Sequence, residues 1–219
     1  MPSTNGAVHM ADKLIFCDFD GTILQEEIFH DLMWRFAPQA SARILPEILA
    51  LRTSLHAGLC AVLGTIPSAR WPEMQEFVVQ NSHLRAGFPD FLAALPRLGW
   101  ELLVVTGGFT RMAELVLAPL RAQIRAIHGL EVDLSGPTLR VFSPWEDDEE
   151  LVVKRAIYAH YQPDEAICIG DSVTDLRLAR VCPRVFARDR LLGQLRDEQR
   201  PCTPFQDFFD ILHALEEQP

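Results

Sequence analysis

Small polar and acidic residues follow three short apolar segments of this 219-residue chain. The segments are residues 13–17, followed by Asp18 and Asp20; residues 102–105, followed by Thr106, Gly107 and Gly108; and residues 166–169, followed by Gly170 and Asp171. If the segments are neighbouring parallel strands, their carboxyl ends meet at one edge of a sheet, where open α/β sheets bind their ligands. We therefore expect these residues to form one site.

The residue types in this expected site are those that bind a hard divalent cation and phosphate. Clustered carboxylates repel one another unless a cation lies between them, and oxygen ligands without histidine or cysteine favour Mg²⁺. The Thr106 hydroxyl and the backbone amides of Gly107 and Gly108 could hold phosphate oxygens. So could the ammonium of Lys154, which precedes the third segment. The pattern indicates phosphoryl transfer, in which positioning and charge stabilisation carry most of the catalysis.

Asp18 and Asp20 are two residues apart, which allows two carboxyl groups with different tasks. One aspartate can act as a covalent nucleophile and form an aspartyl-phosphate. The other can give a proton to the leaving oxygen if its surroundings raise its pKa.

The elements that must position these residues alternate along the chain. The three segments and a fourth, residues 184–187, are apolar on both alternating faces, as in strands buried on both sides of a parallel sheet. Helical patterns lie between or after them, at residues 88–98, 110–121, 149–161, 172–181 and 205–215. The alternation predicts an α/β fold with a Rossmann-like doubly wound parallel sheet.

Residues 24–84 interrupt this alternation and predict an inserted helical domain. They contain helical patterns at residues 27–36, 42–51, 55–63 and 71–81, and no convincing strand. We therefore expect a core of residues 1–23 and 85–219 that carries a helical cap of residues 24–84. Two β segments are expected within residues 126–142. The acidic run 146–150 is expected to open a helix, where negative charge suits the helix dipole.

Composition excludes several classes of protein. The net charge is −10, which disfavours a nucleic-acid or anionic-membrane partner. No apolar segment approaches the ~20 residues of a transmembrane helix, and the first residues lack the apolar region of a secretory signal. Residues 1–9 could be a natural tail or a cloning remnant. Five widely spaced cysteines without a CxxC pair argue against a disulfide framework or a zinc site, so a cytoplasmic location is expected.

Four motifs together resemble the haloacid dehalogenase superfamily of phosphohydrolases. They are residues 18–22 (DFDGT), residues 106–108 (TGG), Lys154, and residues 170–175 (GDSVTD), in the order that the superfamily has them. The insert after the first motif resembles the C1-type helical cap of this superfamily. The resemblance implies a hydrolase that acts on a small phosphorylated metabolite.

The resemblance also implies a role for each motif residue. Asp18 would be the nucleophile, and Asp20 the general acid and then the base that activates water. Mg²⁺ would be bound by Asp18, the backbone carbonyl of Asp20 and Asp171, with Asp175 supporting the site from outside. The transferring phosphoryl group would be bound by Thr106, Gly107, Gly108 and Lys154.

Nearly the whole chain resembles, more narrowly, the phosphatases of methionine salvage in this superfamily. The matching stretches are residues 16–23, 84–88, 169–175, 186–189 with Leu191 and Leu192, and 204–209. The chain departs from some of these relatives between Val141 and Lys154, where they carry a cysteine-rich segment. Phosphoserine phosphatases are the alternative, and Glu27 lies where they place the carboxylate that holds the substrate's amino group.

Other interpretations remain open for single residues. A phosphomutase or a non-catalytic binding protein could carry the same motifs, and the oligomeric state is not predicted. Lys154 could be a solvated lysine with Arg155 in its place, and Asp171 and Asp175 could be helix caps as well as site residues. Glu27 could be a solvated charge. The cap aromatics Trp34, Phe36 and Trp71 are expected to be packing residues.

Overall fold

A seven-stranded sheet forms the centre of the computed structural model, which describes residues 12–217. The strands are β1 (Lys13–Cys17), β2 (Glu101–Phe109), β3 (Ile124–Asp133), β4 (Arg140–Phe142), β5 (Glu165–Gly170), β6 (Arg184–Ala187) and β7 (Thr203–Pro204). Their order is β4-β3-β2-β1-β5-β6-β7, and all pairs are parallel except the antiparallel pair β3 and β4. The predicted α/β fold, with the four expected strands and the two β segments within 126–142, is confirmed.

Strand β1 lies between the two strands that carry the other predicted site residues. Cys17 is in register with Val104 of β2 and with Ile169 of β5, and both pairings are parallel. Leu14 to Cys17 have no exposed surface. The carboxyl ends of the three strands therefore lie side by side at one edge of the sheet.

Ten α-helices surround or extend from this sheet in the described part of the chain. The first four lie within the insert and are α1 (Ile28–Phe36), α2 (Pro38–Leu49), α3 (Leu55–Leu63) and α4 (Trp71–Asn81). The others are α5 (Phe88–Leu98), α6 (Thr110–Val116), α7 (Lys154–Tyr161), α8 (Leu176–Ala179), α9 (Asp189–Asp197) and α10 (Phe208–Glu217). Among the residues described, no helix has the length and apolar character needed to cross a membrane.

The helices pack through aromatic residues on their apolar faces. Phe88 and Phe91 of α5 meet Phe208 of α10 with ring centroids 4.9 and 5.1 Å apart. In the insert, Trp71 of α4 packs its ring edge-on against Phe109 of β2 at 4.9 Å. Because edge-to-face contacts at this distance are favourable, they help to hold the insert against the end of the sheet.

The two ends of the insert come together beside the sheet. Leu24 and Leu84 form an isolated antiparallel bridge. The amide of Gln25 donates to the carbonyl of His83 at 3.0 Å, and the Glu26 carboxylate accepts from the His83 backbone amide at 2.9 Å. The chain therefore enters and leaves helices α1–α4 through one narrow connection.

Two predicted helices are shifted by two to four residues, from 42–51 to Pro38–Leu49 and from 205–215 to Phe208–Glu217, and three others differ more strongly. The acidic run 146–150 does not open a helix, because α7 begins only at Lys154. Asp147 instead accepts the backbone amides of Glu149 and Glu150, and Arg177 pairs with Asp147 and Glu150, which holds the run in a turn. The following residues 151–153 are buried.

The other two errors concern chain turns at helix ends. The pattern at 110–121 becomes α6 and then a 3-10 turn (Ala118–Gln123), because Pro119 cannot continue an α-helix. The pattern at 172–181 begins with a 3-10 turn (Val173–Asp175), and α8 follows with only four residues. This first turn carries Thr174 and Asp175 of the site.

Candidate active site

Asp18 follows the last residue of β1 and is buried, with 6% of its surface exposed. Its backbone amide donates to the carbonyl of Ile169 on β5 at 2.9 Å, which continues the sheet pairing by one residue. The chain then turns at Gly21, whose φ is +69°. A side chain at Gly21 would be strained and would strike the carboxylates of Asp171 and Glu27, at 2.6 and 2.7 Å from its Cβ. Only glycine suits this turn.

Arg85 holds the turn after Asp18 in place. Its guanidinium donates to the carbonyls of Gly21, Thr22 and Leu24 at 2.6, 2.7 and 2.9 Å. Sequence reasoning assigned no role to Arg85, although it lies within the matching stretch 84–88. These three hydrogen bonds join the end of the insert to the loop that carries Asp20.

Lys154 lies between two buried carboxylates at the first residue of α7. Its Nζ atom is 2.6 Å from Asp18 Oδ1 and 2.6 Å from Asp175 Oδ1, and 2% of its side chain is exposed. Burial alone would lower the pKa of Lys154, but the charges of Asp175 and Asp18 raise it well above its usual value. The interpretation of Lys154 as a solvated lysine is therefore wrong, and Arg155 is the exposed neighbour.

Asp175 has partners on both carboxylate oxygens. Its Oδ2 atom accepts from the backbone amides of Asp171 and Ser172 at 3.2 and 3.1 Å, and its other oxygen accepts from Lys154. It forms a capping box with Ser172. A Cβ atom on Gly170 would lie 2.5 Å from the Asp175 side chain, so glycine is required there. Asp175 therefore caps the 3-10 turn and fixes the backbone of Asp171.

Asp18, Asp171 and Asp175 form a buried cluster that could hold a metal ion. One oxygen of each lies within 4.8 Å of the others, and Thr22 donates its hydroxyl to Asp171 Oδ1 at 2.7 Å. Burial and the charge of Asp175 raise the pKa of Asp18 well above its usual value and that of Asp171 to about 7. The Lys154 ammonium offsets only one of these three negative charges, so ionising all three carboxylates together is costly without a further cation. An all-oxygen donor set suits a hard divalent cation.

The Asp20 carboxyl group points away from this cluster toward strand β2. It accepts from the backbone amide of Phe29 at 3.1 Å and from the Thr106 hydroxyl at 3.4 Å. Thr106 also accepts from the amide of Gly108 at 2.9 Å. Burial, followed by the charge of Asp18, raises the pKa of Asp20 to about 7. A carboxyl group in this range can hold and release a proton near neutral pH.

A cavity of about 520 Å³ opens above these residues and is acidic at one end and apolar at the other. Asp18, Asp20, Gly107, Gly108, Asp171 and Glu27 line the end at the sheet, while Thr106, Lys154 and Asp175 lie buried behind it. The apolar end is formed by residues of α1, α2 and α3: Phe29, Met33, Leu45, Ile48, Leu49, Leu55 and Leu59. Ser172, Thr174, Asp189 and Arg190 complete the lining on the sheet side, with His30 on the insert.

The structure brings together all nine residues predicted for the site, and it adds residues that sequence reasoning missed. The apolar wall and Arg190 were not predicted, although Phe29 and Met33 share one face of α1 through their i, i+4 spacing. Phe36 and Trp71 are packing residues, as expected. Trp34 is 41% exposed and donates to His30 Nε2 at 2.9 Å.

Glu27 lies at the acidic end of the cavity, beside Asp171. Partial burial and then the charge of Asp20 raise its pKa. Its carboxylate therefore lies near the clustered aspartates. Neither the interpretation of Glu27 as a solvated charge nor its interpretation as a substrate contact predicted this position.

Comparison with known proteins agrees with this geometry. A family model described as haloacid dehalogenase-like hydrolase matches residues 15–180. A 2-hydroxy-3-keto-5-methylthiopentenyl-1-phosphate phosphatase of Microcystis aeruginosa is 40% identical over 205 residues, which are 93% of this chain and 97% of that protein. A protein of the same name from Brevibacillus brevis is 31% identical over 216 residues, which are 95% of this chain and 97% of that protein.

Solved structures show the same fold. A substrate-bound phosphoserine phosphatase has a TM-score of 0.68 and 17% identity, covering 93% of this chain and 98% of that chain. The family match covers most of this sequence, and the curated relatives match nearly all of it. The chain therefore belongs to the haloacid dehalogenase-like hydrolase family, in which it is a phosphoric monoester hydrolase.

Proposed function

We propose that this phosphatase hydrolyses 2-hydroxy-3-keto-5-methylthiopentenyl-1-phosphate through an aspartyl-phosphate on Asp18. The observation that carries this proposal is the cavity, which joins an acidic phosphate end to an apolar wall. The relatives at 40% and 31% identity bear the name of this activity. A thioether tail is apolar and polarizable, so it suits a wall built from methionine, leucine, isoleucine and phenylalanine.

In the first step, a carboxylate oxygen of Asp18 attacks the phosphorus atom and the ester P–O bond breaks. The leaving oxygen takes a proton from Asp20, whose carboxyl group is held by Phe29 and Thr106 at the floor of the cavity. The amide of Gly107 and the Lys154 ammonium balance charge on the phosphoryl oxygens, and the Gly108 amide would join them by exchanging its hydrogen bond to Thr106 for one to phosphate. This arrangement stabilises the transition state by fixed charges and donors.

In the second step, Asp20 takes a proton from water, and the resulting hydroxide attacks the phosphorus atom of the aspartyl-phosphate. The bond between phosphorus and the Asp18 oxygen breaks, which releases inorganic phosphate and restores the Asp18 carboxylate. Asp20 is thereby protonated again for the next turnover.

Mg²⁺ is the metal that we assign to the acidic cluster. Asp18 and Asp171 would hold it with the backbone carbonyl of Asp20, while Asp175 would position Asp171 from outside. When bound, Mg²⁺ would neutralise the phosphate charge and polarise the phosphorus–oxygen bonds. The donor set fits because all three clustered side chains are carboxylates within 4.8 Å of one another.

We infer that residues 24–84 form a cap over a core of residues 1–23 and 85–219. The bridge between Leu24 and Leu84 supports these boundaries, since it joins both ends of the insert. Such a cap would exclude bulk water from the reaction. We also assign the reaction to the cytoplasm, without a nucleic-acid or membrane partner, in keeping with the net charge of −10.

Phosphoserine phosphatase activity is the second candidate, favoured by one observation. Glu27 and Arg190 both line the cavity and could pair with the ammonium and carboxylate of phosphoserine. The apolar wall argues against it, because the small, zwitterionic serine leaves that wall without a partner.

Phosphate release from a panel of substrates, with Mg²⁺ present, tests the proposal. The panel contains the methylthiopentenyl phosphate, phosphoserine and an aryl phosphate. We expect the highest kcat/KM for the methylthiopentenyl compound. A preference for phosphoserine would contradict the proposal and favour the second candidate, and no release from any of the three would contradict both.

A further inference from the structure

Arg190 is the one lysine or arginine among the described residues that line the cavity. Within residues 12–217 it forms no ion pair within 4 Å and no hydrogen bond with another side chain, although its positive charge acts to lower the pKa of Glu27. The nearby Asp189 carboxylate is already paired with Arg188 Nε at 2.8 Å. Arg190 therefore presents an exposed guanidinium to the cavity with its donors available.

The backbone holds Arg190 next to the proposed metal site. The amide of Arg188 donates to the carbonyl of Gly170 at 3.2 Å, and the amide of Leu191 donates to the carbonyl of Asp171 at 2.8 Å. These two hydrogen bonds tie both sides of Arg190 to the turn that carries Asp171. The backbone of Arg190 is thus held beside the phosphate end of the cavity, so that its side chain starts from there.

The residue before Arg190 adopts a backbone conformation that is uncommon for its type. Asp189 has a φ of +45°, in the left-handed region that few residues other than glycine adopt, although aspartate and asparagine do so more often than most. Such conformations persist where the surrounding structure enforces them, often at ligand sites. Here the strained residue places Arg190 at the cavity as the first turn of α9 begins.

The proposed substrate offers a matching set of acceptors. Its leaving group carries a hydroxy and a keto oxygen on adjacent carbons next to the phosphate ester, followed by an apolar tail. A guanidinium presents parallel N–H donors in a planar fork, which can bind two neighbouring oxygens at once. The apolar side chains on α1–α3 offer no donor to these oxygens, whereas Arg190 is the one permanently charged donor among the lining residues that the structure describes.

We propose that Arg190 is a specificity-determining residue that donates hydrogen bonds to the vicinal hydroxy and keto oxygens of the leaving group. This inference rests on the proposed function, since it assigns the contacts that select that substrate. It separates two tasks: Lys154 and the glycine amides bind the phosphoryl group, and Arg190 binds the oxygens of the carbon skeleton.

The test compares kcat/KM of wild type, Arg190→Gln and Arg190→Lys on two substrates. One is the methylthiopentenyl phosphate, and the other is pentyl phosphate, which keeps an alkyl tail but lacks the two oxygens. Arg196→Gln is the matched control, because Arg196 is an exposed arginine on the same helix and does not line the cavity. The wild-type preference between the two substrates tests the proposed function separately.

We expect Arg190→Gln to lower kcat/KM by about 10- to 100-fold for the methylthiopentenyl phosphate, as for the loss of charge-assisted hydrogen bonds. The value for pentyl phosphate should stay within about two-fold, and Arg190→Lys should recover only part of the loss because it lacks the fork. Equal losses on both substrates would mean that Arg190 attracts phosphate in general and would overturn the inference. An unchanged kcat/KM on both substrates would overturn it as well.

Discussion

The Nζ atom of Lys154 lies 2.6 Å from Oδ1 of Asp18, and both side chains are buried. The same ammonium is equally close to Asp175, whose carboxylate holds the backbone of Asp171. One cation therefore joins the end of strand β1 to the turn after strand β5. A buried charge without a partner is costly, so each of these groups depends on the others. The ion pairs of Lys154 with Asp18 and Asp175 therefore link the stability of the sheet edge to the geometry of the site.

Removing the Lys154 ammonium should damage both stability and activity. We expect Lys154→Met to lower the free energy of unfolding by about 3 to 5 kcal/mol, because Asp18 and Asp175 lose their shared partner. Urea denaturation in EDTA measures this loss, and phosphate release measures the loss of activity. Arg155→Met is the matched control, since Arg155 is exposed, and it should stay close to wild type in both assays. A Lys154→Met enzyme with normal stability and turnover would refute the role assigned to this lysine.

Mg²⁺ binding should depend on a hydroxyl that lies behind the carboxylate cluster. Thr22 donates to Asp171 Oδ1 at 2.7 Å and so orients a proposed ligand. We expect Thr22→Ala to raise the Mg²⁺ concentration needed for half-maximal activity by about 10- to 100-fold. Mg²⁺ should also raise the melting temperature of wild type, and Asp171→Asn should lose most of this stabilisation.

Thr65→Ala provides the control for this series, because the Thr65 hydroxyl donates to the Val62 carbonyl within the insert. An identical Mg²⁺ requirement in Thr22→Ala and wild type would show that Asp171 is not a ligand or needs no orientation. Activity that persists in EDTA would contradict the metal assignment itself.

Arg85 should act as a positioning residue. Its guanidinium satisfies three carbonyls of the loop after Asp18, so Arg85→Met should cost about 1 to 3 kcal/mol of stability and should lower kcat. Arg85→Lys keeps the charge but cannot span three acceptors, so it should restore only part of kcat. Arg97→Lys on α5, whose partner is the surface residue Glu216, should change neither value. Full kcat in Arg85→Met would mean that the loop holds its shape without this residue.

His128, which is in register with Val105 on β2, should contribute to a pH dependence of stability. Burial, and then the charge of His160, lowers the pKa of His128 below 6.5. Below pH 6.5 this histidine therefore binds more protons in the unfolded chain than in the folded protein. The contribution of His128 to stability is full above pH 6.5 and is lost as pH decreases through the lowered pKa. Urea denaturation between about pH 8 and pH 5 should show a smaller decrease for His128→Gln than for wild type. Parallel curves would indicate that other groups govern this dependence.

Much of the fold could be predicted because local patterns and tertiary structure agree. Helices α3, α4 and α5 and strands β1 and β6 have the predicted bounds. In these elements, apolar periodicity and the flanking glycine and proline residues indicate the same limits. The predicted site residues also meet, because β2, β1 and β5 are parallel neighbours, the condition on which that prediction was based.

The error at residues 146–150 arose because distant contacts decide local structure there. Residues 146–150 have the composition of a helix start, but Arg177, from a separate element, pairs with Asp147 and Glu150 and holds them in a turn. The predicted helix therefore begins later, at Lys154, where the buried partners of its ammonium lie. Single-sequence patterns contain no information on such pairs.

The apolar wall and the two arginines of the site had no distinctive local signal. Met33, Ile48 and Leu59 come from three helices, and only their packing shows that they face one cavity. Arg85 and Arg190 lie within or beside stretches that resemble known phosphatases, yet their types alone fit a solvated surface equally well. Their roles depend on carbonyls and cavities that the fold creates.

The central claim is that Asp18 carries the phosphoryl group during turnover, and trapping the intermediate tests it most directly. Wild type is mixed with Mg²⁺ and the methylthiopentenyl phosphate, quenched, reduced with borohydride and digested for mass spectrometry. Borohydride reduces an aspartyl-phosphate to homoserine, so we expect homoserine at position 18 in wild type and none in Asp18→Asn. Asp18→Asn should also be folded and inactive. Reduction at another carboxylate, or full turnover by Asp18→Asn, would contradict the role of Asp18 as the nucleophile.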